Sequence, residues 1–113
     1  MGPEKSGPSS AQAKISEQDI LAARKGDWTA KANLVRVFTP LLTALANKRV
    51  SEPARVNEII EAGKEGLLKA AKRYKPSVGA AKFQVFALDY IEASMDRQAR
   101  RGRGGFFARL FGR

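Results

Sequence analysis

Residues Asn57–Arg97 read NEIIEAGKEGLLKAAKRYKPSVGAAKFQVFALDYIEASMDR, and this stretch decides the fold. Val56, Ile59, Ile60, Gly63, Leu67, Ala71 and Tyr74 recur at the three- and four-residue steps of an amphipathic helix. Gly63 and Gly66 each cost roughly 1 kcal/mol relative to Ala inside a helix. Two glycines one turn apart therefore predict a place where another helix comes close. Pro76-Ser77-Val78-Gly79 reads as a turn. The next helix is expected from about Ala80 to Arg100, with Phe83, Phe86, Ala87, Tyr90, Ile91 and Ser94 on one face. Aromatics at i and i+3 on such a face are usually core. Phe83 is assigned there, and Phe86 is left open between core and surface.

Upstream, Ser51-Glu52-Pro53 is a helix start, with Ser51 as N-cap and Pro53 in the first turn. Before it, Leu34, Phe38, Leu41 and Leu45 lie on one face of a helix expected over about Thr29–Lys48. Pro40 sits inside that pattern, and either kinks the helix or divides it. A first short helix opens at Ser16, with Asp19 three residues on and Ile20, Leu21 and Ala23 as its apolar contacts, and ends at Gly26. Trp28 follows and reads as a core anchor between helices. No strand pattern and no repeat occurs. The fold class is all-α, a compact bundle of three to four helices. Residues 1–15 read as a disordered leader, 16–101 as the helical domain and 102–113 as an Arg/Gly/Phe-rich tail, with the last helix broken across Arg100–Gly105.

The 113 residues carry 21 Lys+Arg against 11 Asp+Glu, a formal charge of +10. So large a surplus on one small domain points to a polyanion, nucleic acid or an anionic membrane surface. A merely soluble basic protein is the plainer reading. Cys and His are absent, so no disulfide, no usual zinc site and no His-based acid/base chemistry can be built. Glu58, Glu61, Glu65 and Asp89 supply carboxylates, but Ser94 and Tyr90 have no base beside them in sequence. The expectation is no enzyme, no metal and no cofactor. Met1–Lys14 lacks an apolar signal core and no run is long enough to span a bilayer, which predicts a cytoplasmic protein.

The chain also resembles the second conserved region of the sigma-70 family of bacterial RNA polymerase sigma factors. The family pattern D-L-x-Q-E-G-x-x-G-L-x-x-A-x-x-x-F is similar to Glu58–Tyr74, EIIEAGKEGLLKAAKRY, with both glycines, the following Leu and the terminal aromatic in register. F-S-T-Y-A-x-x-x-I is matched by Phe83–Ile91, FQVFALDYI. L-V-x-x-Y-x-P-L-V-x-x-I-A is matched by Leu34–Ala46, LVRVFTPLLTALA, which accounts for Pro40. The resemblance covers roughly Ile20–Arg97. It implies a domain that binds a coiled coil on the largest subunit of core RNA polymerase through the Gly-x-x-Gly helix, with Glu58, Glu61, Lys64 and Glu65 as the contact residues. It implies that the Phe83 helix takes single-stranded minus-ten promoter DNA, with Phe86 stacking a flipped adenine and Tyr90 beside it. Lys72, Arg73, Lys75, Lys82, Arg97, Arg100 and Arg101 would then track the phosphates, against the plainer reading of a solvated cationic face.

The chain departs from the family at several contact positions. Asp89 and Tyr90 stand where primary factors carry paired Trp, Glu92-Ala93 replaces Arg-Gln, and Asp96 adds a third acid. Glu61-Ala62 replaces Gln-Glu, and Lys64 replaces Asn. A mimic that binds an anti-sigma protein or the polymerase without reading DNA is therefore an alternative, as is a non-specific cationic binder of nucleic acid or membrane surface. The tail, with Phe106, Phe107, Leu110 and Phe111 among arginines, has three readings: a nucleic-acid arm, a lipid anchor, or a peptide that packs in a groove. The sequence favours a protein or nucleic-acid contact over membrane.

Overall fold

The computed structural model describes residues 15–110, and the side chains of residues 15–100. Among the described residues there are four α-helices and no strand: α1 Glu17–Arg24, α2 Trp28–Arg49, α3 Pro53–Arg73 and α4 Phe83–Leu110, with a single 3-10 turn, Ala80–Lys82, before α4. The chain is an all-α bundle, as the periodicity predicts. Apart from Ile15, which packs partly buried against the core, the expected leader lies outside the described residues.

Each start has a local cause. The Ser16 hydroxyl accepts the Asp19 N–H at 3.2 Å, and the Asp27 carboxylate accepts the Ala30 N–H at 3.0 Å. Gly26 takes φ +100°, which lets the chain reverse between α1 and α2. Helix α3 differs from expectation: its N-cap is Glu52, not Ser51, and no side chain caps it. Pro53 occupies the first helical position and drives the residue before it into extended backbone, so Glu52 must be the boundary.

Pro40 neither divides nor ends α2, which runs unbroken through it. Pro40 and Arg36 are exposed, so the carbonyl deprived of its helical donor faces water. Trp28 corrects the sequence reading outright. It is 80% exposed at the first turn of α2, not a core anchor. The Asp27 cap starts the helix one residue before the buried Ala30, and Trp28 falls on the solvent side. A second correction concerns α4, which does not break at Arg100–Gly105 but stays helical to Leu110. Glycine weakens a helix yet keeps its N–H, so the hydrogen-bond ladder can pass through Gly102, Gly104 and Gly105.

The core is centred on Phe83, which is fully buried and meets Phe38 and Tyr74 edge to face at centroid distances of 5.9 and 5.7 Å. Around it lie Ile20, Leu34, Leu42, Ile59, Leu67, Ile91 and Met95. Helices α3 and α4 pack against each other at the two glycines. A β-carbon at Gly66 would stand 2.9 Å from the Ile91 Cα and closer still to the Tyr90 carbonyl. At Gly63 it would meet side-chain ends only, Met95 Cε and Leu42 Cδ2.

The contrast between the glycines is testable. Gly66→Ala should lower the unfolding temperature, because overpacking against backbone costs roughly 1–3 kcal/mol and outweighs the gain in helix propensity of about 1 kcal/mol. Gly63→Ala should cost less, since Met95 can shift. A higher unfolding temperature for Gly66→Ala would contradict the close contact. Trp28 is the single tryptophan, so its fluorescence should be that of a solvent-exposed indole and should change little on unfolding. A marked red shift on unfolding would show that it is buried.

Candidate nucleic-acid interface

The register of α4 sorts its outward residues into two strips. At about 100° per residue, Phe86, Tyr90, Ala93 and Arg97 fall within roughly 60° of arc beside the buried face. Phe86 and Tyr90 are both half-buried, with ring centroids 5.4 Å apart, and Phe86 leans on Phe83 at 6.3 Å. Phe86 is thus neither a core residue nor a free one. One part of its ring is braced by the core and the remainder is open, the form a stacking platform requires. The acids Asp89, Glu92 and Asp96 fall in a second strip about 100° round the helix. Within it Asp96 accepts from the Arg49 Nε at 2.7 Å. The carboxylates that stood against DNA binding in the sequence are therefore displaced from the aromatic edge, and one is paired.

Lys72 and Arg73 end α3, Lys75 lies in the turn and Lys82 in the 3-10 turn, all exposed. These four cations collect at the end of the bundle where α3 hands over to α4. None makes an ion pair among the described residues, whereas Arg49, Arg55 and Lys64 are paired to Asp96, Glu58 and Glu61. Cations in the last turn of α3 also meet the negative end of its dipole, so part of the clustering has a structural cause. Arg97 and Arg100 are exposed further along α4. The side chain of Arg101 lies outside the described residues.

The exposed face of α3 is divided by charge along its length. Glu58, Glu61 and Glu65 occupy its first two-thirds; Lys69, Lys72 and Arg73 occupy its C-terminal end, on the same side of the helix. Arg55 holds Glu58 at 2.6 Å and Lys64 holds Glu61 at 2.8 Å, while Glu65 is exposed. Such exposed pairs are worth about 1 kcal/mol at most, so they leave Glu58 and Glu61 available to a partner. The residues expected for polymerase and those expected for DNA thus occupy different stretches of the surface.

The cationic end rests on a buried polar link. The Tyr74 hydroxyl donates to Glu17 at 2.6 Å, and Arg24 Nη1 donates to the Tyr74 carbonyl at 2.9 Å. Two helix ends, α1 and α3, are thereby joined beneath Lys72, Arg73 and Lys75. The hydrogen bond to Glu17, then burial, then the Glu17 charge raise the Tyr74 pKa above its ordinary 10.0, and a hydrogen bond from the Gly79 backbone offsets this in part. Sequence reading missed this link and the Arg49–Asp96 pair. The partners are 57 and 47 residues apart, and only Tyr74 carried a signal, as the aromatic closing the α3 stripe. Lys69 was also missed, although its spacing from Lys72 and Arg73 places it on their side.

In comparison with known proteins, 73 residues, 65% of the chain, align at 38% identity with the RNA polymerase sigma-B factor of Bacillus subtilis. The alignment spans 28% of the length of that factor. No family model matches the chain, and no solved structure matches it. The likeness supports a sigma-factor-like region in this chain.

The Tyr74 link gives a pH dependence with a definite sign. A proton held more tightly in the folded state stabilises the fold below the unfolded pKa of about 10, and this contribution is lost as pH rises through the raised folded value. Thermal stability should therefore fall above about pH 10 more steeply in the parent chain than in Tyr74→Phe. Equal slopes would remove the link.

Proposed function

We propose that this chain is a sigma-like transcription domain, not an enzyme. In this reading it takes single-stranded promoter DNA on the Phe86–Tyr90 edge of α4 and the cationic end of α3, and meets core RNA polymerase through Glu58, Glu61, Lys64 and Glu65. The observation that carries the proposal is the half-exposed aromatic pair lying next to cations without carboxylate partners, with the acids of α4 in a separate strip. The partial likeness to a sigma factor supports the same class of role.

The energetics are consistent with such a site. Removing a base from the stack costs a few kcal/mol. Stacking on an aromatic returns about 1–3 kcal/mol per base. Phosphate contacts by Lys72, Arg73, Lys75, Lys82, Arg97 and Arg100 supply the rest, with a salt slope near 0.7 per phosphate neutralised on a single strand. The side chain of Phe86 offers its open ring to a base, and Tyr90 extends the platform. A cytoplasmic location belongs to this proposal.

A second reading is a sigma mimic that engages polymerase or an anti-sigma protein without reading DNA. The residues Asp89, Glu92 and Ala93, at positions where the family contacts DNA, favour it.

Phe86→Ala should weaken binding of a minus-ten single-stranded oligonucleotide about tenfold, with a cooperative unfolding transition retained. Unchanged affinity, or a collapse of the fold, would remove Phe86 as a stacking platform. In a pull-down with core RNA polymerase, the chain should be retained with residues 100–113 deleted, and lost on combined Glu61→Arg and Glu65→Arg. Retention of polymerase with no base preference in the oligonucleotide would favour the mimic. Retention only with residues 100–113 present would leave a non-specific cationic contact.

A further inference from the structure

The segment 100–113, RRGRGGFFARLFGR, has five arginines and no acid, and the aromatic edge of α4 does not account for it. Sequence reading breaks the helix here, which would scatter the phenylalanines along an irregular arm. The backbone instead remains helical to Leu110. That continuity changes what the pattern means. Phe106, Phe107 and Leu110 stand at i, i+1 and i+4, a spacing that stacks positions along one edge of a helix, and Phe111 at i+5 continues it.

The bundle supplies no matching length of helix. Helix α3 begins at Pro53, and Arg55 reaches the Ala99 carbonyl at 3.3 Å, so its first turn already lies level with Ala99. The remaining turns of α4 run beyond the start of α3. A partner for them must offer an apolar layer and negative charge together. Nucleic-acid arms spread single aromatics among cations so that each can stack a base; four bulky apolar residues within six positions make a continuous edge, for which a nucleic acid has no counterpart. A bilayer interface has both parts, acyl chains for Phe and Leu and anionic headgroups for Arg. Among the described residues no helix is long and apolar enough to cross a membrane, so the segment would lie along the surface.

We propose that residues 100–113 form an interfacial amphipathic helix that binds anionic lipid. The apolar edge is short and binds weakly by itself, and the arginines make the binding depend on headgroup charge. Gly102, Gly104 and Gly105 reduce the helix's own stability, so the lipid surface reinforces it on contact. This inference is independent of the transcription role proposed above and would bring that domain to a membrane surface.

The test is co-sedimentation of the full chain with vesicles of phosphatidylcholine alone and of phosphatidylcholine mixed with phosphatidylglycerol, near physiological salt. The chain should sediment with the mixed vesicles and stay in solution with phosphatidylcholine alone. The double variant Phe107→Ser, Leu110→Ser should partition more than tenfold less onto the mixed vesicles, with the unfolding transition of the bundle unchanged, whereas Phe86→Ala should partition like the parent. Equal partition of the double variant would reduce the contact to charge alone and overturn the proposal. So would absence of sedimentation with mixed vesicles. If the double variant loses affinity for a single-stranded oligonucleotide while vesicles bind neither form, the segment is a nucleic-acid arm and the lipid assignment is wrong.

Discussion

The approach of α4 onto Gly66 is the constraint from which the rest of the bundle follows. At that point the Tyr90 carbonyl and the Ile91 Cα occupy space that any side chain on α3 would fill. The contact fixes the rotation of α4 about its axis. With Ile91 turned inward, Phe83, Ala87, Ser94 and Met95 are buried as well, and Phe86 and Tyr90 fall at the margin. A small rotation of α4 would bury the aromatic pair or swing it fully into water. The same rotation carries Asp89 and Asp96 away from the aromatic edge and puts Asp96 within reach of Arg49.

Electrostatics then divides the surface. A net charge of +10 does not by itself locate a polyanion site. What matters is where cations lack carboxylate neighbours. At the end where α2 gives way to α3, Arg49 and Arg55 are each held by an acid. At the end where α3 gives way to α4, Lys72, Arg73, Lys75 and Lys82 have no such partner among the described residues. Beneath them the Glu17–Tyr74–Arg24 link joins α1 to α3 by hydrogen bonds rather than by apolar packing alone. Its geometry is directional, so it sets the positions of the helix ends that present the cations.

Much of the bundle was legible because helix periodicity is a local property. Leu34, Phe38, Ile59, Leu67, Phe83 and Ile91 were assigned inward by spacing and are buried. The glycines of α3 announced a close approach because their cost to a helix demands a compensating contact. The misreadings share a different cause. Trp28 was assigned to the core on side-chain character, yet its direction is set by where the Asp27 cap starts α2. Ser51 was preferred to Glu52 on capping preference, yet Pro53 determined the boundary through backbone sterics. The glycines after Arg101 were read as a stop, although low propensity weakens a helix without forbidding it. In the candidate site, Phe86 could not be assigned from its spacing, because i and i+3 place it at the margin of the buried face.

The sequence by itself determined an all-α bundle, the order of its helices, the glycine contact in α3 and a cationic surplus in search of a polyanion. Each of these rests on spacing or composition, which chain neighbours are sufficient to set. The tertiary structure decided which cations stay unpaired, that the acids of α4 lie apart from its aromatic edge, and that Tyr74 joins α1 to α3. Those outcomes depend on residues such as Glu17 and Tyr74, or Arg49 and Asp96, that are dozens of positions apart. They meet only when the helices pack, and no local pattern encodes the angle at which they do so.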